Sequence, residues 1–142
     1  MRSSDAAPFV VHDMHMQVVT DEGNRVALPA TLSFTAADPY AVTATFHLGE
    51  EETWITWVFA RELLRDGMRD IAGYGDIIVR PSHPSRGAQV ILTLSSPSGS
   101  AVIEGSRHQI AAFIEEVYAA VPDGTEWMYL NIDGTITDLL NA

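Results

Sequence analysis

Apolar and polar side chains alternate with a period of two along most of this chain. Over residues 40–48 the even positions Tyr40, Val42, Ala44, Phe46 and Leu48 are large or apolar, and Thr43, Thr45 and His47 are polar. That period predicts a strand with one dry face and one wet face. Residues 9–20 read the same way, with Val10, His12, Met14, Met16 and Val18 inward, and so do residues 26–34, with Val26, Leu28, Ala30, Leu32 and Phe34 inward. Asp21, Glu22, Gly23 and Asn24 between them are turn chemistry and predict an antiparallel hairpin. Pro29 has no N–H for a ladder, which predicts an edge strand or a bulge at that point.

Residues 54–59 break the alternation. Trp54 and Val58 fall on one face and Ile55, Trp57 and Phe59 on the other, so this strand must be covered twice, by the core and by a helix or another subunit. Further strands follow at 76–80, at 88–95 with Ala88, Val90, Leu92 and Leu94 inward, and at 100–104, the last two joined by the turn Ser96-Pro97-Ser98-Gly99. Gly73-Tyr74-Gly75 reads as a hinge and residues 81–87 as a flexible loop.

The period changes to three and four after Ser106. Ser106 with Gln109 forms a capping box, and Ile110, Phe113, Ile114, Val117 and Val121 make one helical stripe. Pro122, Asp123 and Gly124 end the helix, with Gly124 in a conformation that a side chain would penalise. A short helix is expected after Ala60. Another is expected at 135–140, with Thr135 and Asp138 as cap and Ile136, Leu139 and Leu140 as stripe. The pattern is α+β: about seven mostly antiparallel strands with flanking helices, in one domain over residues 1–142 whose residues 1–8 are flexible.

Several stretches together carry a resemblance. Asp-Pro-Tyr-Ala-Val at 38–42 precedes Ala-Thr-Phe-His at 44–47, and Trp-Val-Phe-Ala-Arg-Glu-Leu-Leu spans 57–64. Then come Pro-Ser-Gly-Ser-Ala-Val-Ile-Glu-Gly at 97–105, Ala-Ala-Val-Pro-Asp-Gly-Thr-Glu-Trp at 119–127 and the Leu pair at 139–140. In this order they resemble the SsgA-like proteins, actinobacterial regulators of sporulation-specific cell division, and within them the SsgB type. The likeness runs from about Phe9 onward; Trp54-Ile55-Thr56 is bulkier than the family's pattern. It implies a barrel-like sheet similar to the whirly single-stranded nucleic-acid binders, and a trimer. It also implies a non-enzymatic cytoplasmic protein that recruits or positions the FtsZ ring at septum sites, with FtsZ and other SsgA-like proteins as partners.

Charge alters the picture of the partners. Nineteen acidic residues face eight basic ones, all arginine, for a formal charge of −11. A polyanion needs clustered cations, so a nucleic-acid partner is not expected. The aromatic set Trp54, Trp57, Phe59, Tyr118, Trp127 and Tyr129 keeps single-stranded nucleic acid as the alternative, but core or subunit packing suits these residues better without a basic groove. Arg61, Arg65 and Arg69 are spaced four apart and would line one face of a helix ending near Gly67, either as a solvated face or as a docking stripe beside the acidic run Glu50, Glu51 and Glu52. The expected partner-contact residues are therefore Arg61, Arg65, Arg69, Trp54, Trp57 and Gly124.

No residue is placed for catalysis. His12 and His15 lie three apart on a strand, on opposite faces, and cannot share one metal ion. His47, His83 and His108 read as surface histidines, and the glutamate run lacks the spacing of a calcium loop. There is no phosphate loop, nucleophile elbow or dinucleotide fingerprint, and no cysteine. No cofactor or metal is expected. The chain has no long apolar run and no charged leader with an apolar stretch behind it, from which a cytoplasmic location without membrane insertion is expected.

Overall fold

The alternating segments fold into one antiparallel sheet. In the computed structural model, which describes residues 8–49 and 53–130, the strands are β1 (Phe9–Val19), β2 (Arg25–Thr35), β3 (Ala41–Leu48), β4 (Thr53–Ala60), β5 (Ile77–Pro81), β6 (Gln89–Ser96) and β7 (Gly99–Ser106). The helices are α1 (Arg61–Gly67) and α2 (Arg107–Ala120), with single 3-10 turns at Pro84–Arg86 and Glu126–Tyr129. The strand order is β4-β3-β2-β1-β7-β6-β5. The sheet curls into a half-barrel, which brings Ile55 and Trp57 of β4 to one cavity with Leu94 of β6 and Ile103 of β7.

The core is the concave face. Met14, Met16, Leu28, Ala30, Leu32, Phe34, Val42, Ala44, Phe46, Val90, Leu92 and Leu94 are all buried, as their period requires. Val26, Tyr40 and Ala88 share that period but lie exposed, because they sit at or just outside strand ends. α2 covers part of this face. Its stripe of Ile110, Phe113, Ile114 and Val117 is buried, and each such side chain contributes roughly 1.5–3 kcal/mol by leaving water. The Ser106 hydroxyl accepts the Gln109 N–H at 3.2 Å and starts the helix.

Two expectations need correction. Pro29 lies on an internal strand: β2 is flanked by β1 and β3. The ring is tolerated because the β2–β3 ladder runs only from Ala30 to Ser33, so Pro29, opposite His15 of β1, is beyond it. The first helix ends at Gly67 as expected, so Arg69 lies in the turn beyond it and not on the helix face expected for it. The acidic run Glu50, Glu51 and Glu52, the helix expected at 135–140, and all but Pro8 of the expected flexible start lie outside the described residues.

α1 rests on β5 at a glycine. A Cβ on Gly67 would stand 2.3 Å from Val79 Cγ1 and 2.9 Å from the Val79 backbone carbon. Gly124 is the opposite case: its φ is +89° and nothing lies within 4 Å of a Cβ there. Gly67→Ala is expected to cost about 1–3 kcal/mol through overpacking. Gly124→Ala is expected to cost on the order of 1 kcal/mol through backbone strain alone. Urea unfolding separates the two causes: adding Val79→Ala should reduce the cost of Gly67→Ala and leave that of Gly124→Ala unchanged.

Candidate functional site

Among the described residues β4 is an edge strand with β3 as its single strand partner. Its outward side chains extend rows that cross the convex face. Val11, Ser33, Thr43 and Val58 form one row, and Asp13, Thr31, Thr45 and Thr56 the next. Thr31 Oγ1 donates to Asp13 Oδ1 at 2.8 Å, so its contact with His47 Nε2 at 3.3 Å requires the histidine nitrogen to donate. The His47 ring meets Trp54 edge to face, 4.9 Å between centroids. Trp54 is nevertheless 64% exposed and Val58 59%. Among the described residues of these two rows and the neighbouring His15–Pro29 pair, Asp13 is the one carboxylate. A chain of charge −11 therefore keeps a nearly uncharged, partly apolar patch here.

The inward side of β4 meets a gap. Ile55 and Trp57 join Phe46 and Leu48 on one wall of a cavity of about 370 Å³, and Leu94, Ala101 and Ile103 form the facing wall. Ser96, Ser98 and Ser100 also line it and are exposed. The half-barrel stops short of closure here, so the cavity lies between the β4 edge and the β6–β7 turn.

At the other end of β4 the chain turns inward. Arg61 is 2% exposed, with its guanidinium over the Tyr118 ring, 4.0 Å from the centroid, and Phe34 at 5.7 Å. Its Nη1 donates to the Val121 carbonyl at 2.7 Å and its Nη2 to Glu126 Oε2 at 2.9 Å. The other Glu126 oxygen accepts the Gly124 N–H at 2.8 Å. A cation at the end of α2 also complements the helix dipole. Backbone hydrogen bonding, then Arg61, holds the Glu126 carboxyl below the usual carboxylate range. Burial pushes the Tyr118 hydroxyl up against the opposing pull of Arg65 and Arg61. Burial pulls the Arg65 guanidinium down, but its hydrogen bonds to Asp66 and Asp123 outweigh this and raise it.

The arrangement matches known proteins along most of its length. Residues 28–126 match the family described as Streptomyces sporulation and cell division protein, SsgA. The chain belongs to the SsgA family. It is 40% identical over 128 residues to the sporulation-specific cell division protein SsgB of Streptomyces coelicolor, covering 90% of this chain and 93% of that one. The SsgB of Saccharopolyspora erythraea is 42% identical over 115 residues, 81% of this chain and 80% of the relative. Among solved structures, SsgB of Streptomyces coelicolor superposes with a TM-score of 0.82 at 39% identity, covering 87% of this chain and 97% of that one. An SsgA-like sporulation-specific cell division protein from Thermobifida fusca gives 0.84 at 32% identity, covering 94% and 96%. The Arg61–Glu126 bridge thus joins two of the stretches that carry the SsgA-like resemblance, 57–64 and 119–127, and the cavity is lined by a third, 97–105.

The arginine stripe does not exist as a surface. Arg61 is buried, Arg65 is half-buried among Glu62, Asp66 and Asp123, and Arg69 is exposed in the turn beyond α1. The four-residue spacing fails because Arg61, at the first position of α1, points under α2, where Glu126 and Tyr118 receive it. Nothing local in the sequence marks those partners, more than fifty positions away. Trp54 and Trp57 split to opposite faces of β4, and Gly124 lies in the turn that Glu126 holds. The pairing of His12 with Glu116 across β1 and α2 also escapes sequence spacing. Arg25 forms a two-bonded pair with Glu104, so Arg25, Arg61 and Arg65 are each already matched by carboxylates. No group of three His, Asp or Glu among the described residues is placed to hold a metal ion.

The lowered Glu126 carboxyl fixes the sign of a pH effect. A carboxylate whose folded pKa is depressed stabilises the fold above its unfolded pKa, about 4.3, and loses that contribution as pH falls through the folded value. Thermal melts from neutral to acidic pH should therefore show a drop that is smaller in Glu126→Gln, with the variant already weaker at neutral pH. Arg61→Met should lower the melting temperature at neutral pH by removing the bonds to the Val121 carbonyl and to Glu126.

Proposed function

We propose that this protein acts in sporulation-specific cell division without catalysing a reaction, positioning the FtsZ ring at septum sites by contact with FtsZ and with sister members of its family. The observation that carries the contact reading is the exposed β4 face, Trp54 and Val58 on a patch with a single carboxylate. Family membership supplies the process, since relatives over most of the chain are named sporulation-specific cell division proteins. On our reading it works in the cytoplasm at the septum, which the process named for its relatives supports. Among the described residues no helix is long and apolar enough to cross a membrane.

The convex patch suits self-association. A cyclic trimer brings two different parts of each copy's surface together, and a face that holds almost no charge among the described residues sets little like-charge repulsion between them. A trimer built on the β1–β4 convex face covers Val11, Trp54 and Val58 and leaves Arg65 and Arg69, on and just after α1, for a second partner, where exposed charges govern association rate more than affinity.

Light scattering at micromolar concentration is expected to give a trimer, and Val58→Arg a smaller species with unchanged circular dichroism. A wild-type monomer would sink the self-association. Immobilised protein is expected to retain purified FtsZ, and Arg65→Gln with Arg69→Gln to weaken capture more at low salt than at high salt. No capture at either salt level overturns the FtsZ reading, and a low-salt gel shift with single-stranded DNA would replace it with the nucleic-acid one.

A further inference from the structure

The convex patch leaves the other side of β4 unexplained. Among the described residues nothing pairs with the outer backbone edge of β4 along Thr53–Ala60, and the strand has no proline or charged residue to blunt that edge. Directly inside that edge lies the apolar cavity of about 370 Å³, walled by Ile55 and Trp57 on one side and Leu94 and Ala101 on the other. We propose that the gap between β4 and the β6–β7 turn is a strand-addition site that takes an extended, basic-flanked peptide segment with apolar residues at alternate positions.

The backbone edge supplies affinity and the cavity supplies selectivity. Successive side chains on one face of a strand stand about 7 Å apart. A segment laid along β4 therefore turns one face into the cavity at Ile55 and Trp57 and the other toward Trp54 and Val58. A volume of this size holds a few side chains and no more. A whole second copy is a poorer occupant, because its own β3 would follow its β4 into the space of the β6–β7 turn.

Charge selects the flanks. The cavity opens at the end of the half-barrel where β1 meets β2 and β5 begins, and that end carries Asp21, Glu22 and Asp76, all exposed. The nearest described arginine on that hairpin, Arg25, is already bound by Glu104. A segment with cations beside its apolar positions meets this acidic collar favourably, and an acidic one is rejected. The inference deepens the contact reading above by stating the shape and charge of what is held, and it rests on that reading only for the cellular process.

The test uses the full chain and a labelled heptapeptide, acetyl-Arg-Val-Thr-Ile-Thr-Val-Arg-amide, followed by fluorescence anisotropy. Binding in the micromolar range is expected, weakened on the order of tenfold when the Val, Ile and Val are replaced by Asn. Ala101→Phe, which fills the cavity, should weaken it similarly. Asp21→Lys with Glu22→Lys, in an exposed turn that leaves the core intact, should weaken it chiefly at low salt. Hydrogen exchange should slow at β4 amides only when peptide is added. Equal binding of both peptides, or full binding to Ala101→Phe with unchanged circular dichroism, overturns the proposal. So do β4 amides that are protected in the free protein and released by Val58→Arg, which assigns the edge to a second copy. Peptide binding without FtsZ capture sinks the FtsZ reading alone, and capture that survives Ala101→Phe without peptide binding sinks strand addition alone.

Discussion

Arg61 is the constraint on which the remaining geometry depends. A guanidinium withdrawn from water is tolerable only when its donors and its charge are met, and here a carbonyl, a carboxylate and two aromatic rings meet them. Each partner comes from a different part of the chain: Phe34 from β2, Tyr118 from α2, Val121 and Glu126 from the segment after it. Arg61 follows β4 directly, so this node fixes where the edge strand ends and how α1 departs. With that end of β4 tied under α2, its other end is left free beside the β6–β7 turn.

The same element therefore carries opposite environments at its two ends. Near Ala60 the inward side is enclosed, with Phe59 and Arg61 buried, while Val58 and Ala60 stay exposed on the outward side. Near Thr53 both faces are open, one to the uncharged convex rows and one to the cavity. The family's process requires proteins to meet, and the acidity of the chain keeps most of its surface unattractive to itself. On the contact reading, association between copies is thereby confined to the few places without carboxylates.

Strand identities were legible because period two is a local property: Val42, Ala44 and Phe46 announce their face without knowledge of any partner. The double exposure of β4 was legible for the same reason. The cavity was not, since it requires the sheet to curl and bring Leu94 to Ile55, a fact of global geometry. Arg61 misled more directly. Three arginines at equal spacing look like a solvated stripe, and only the distant Glu126 converts the first of them into core. Pro29 misled in the milder sense that its rule is about a missing ladder bond, and a short neighbouring ladder satisfies that rule inside the sheet as well as at its edge.

The sheet has one seam. β1 and β2 pair along eleven positions and β6 and β7 along eight, all between neighbours in sequence, whereas β1 meets β7 only at Gln17–Glu104, Val18–Ile103 and Val19–Val102. The molecule is thus two local meanders, each able to form early, joined by the shortest and most sequence-distant ladder and by the Arg25–Glu104 pair that reaches across it. Sub-global opening begins where long-range pairing is thinnest. That place is also the floor of the cavity, at Val18 and Ile103, so the most sequence-distant junction of the sheet lies directly beneath the cavity's mouth.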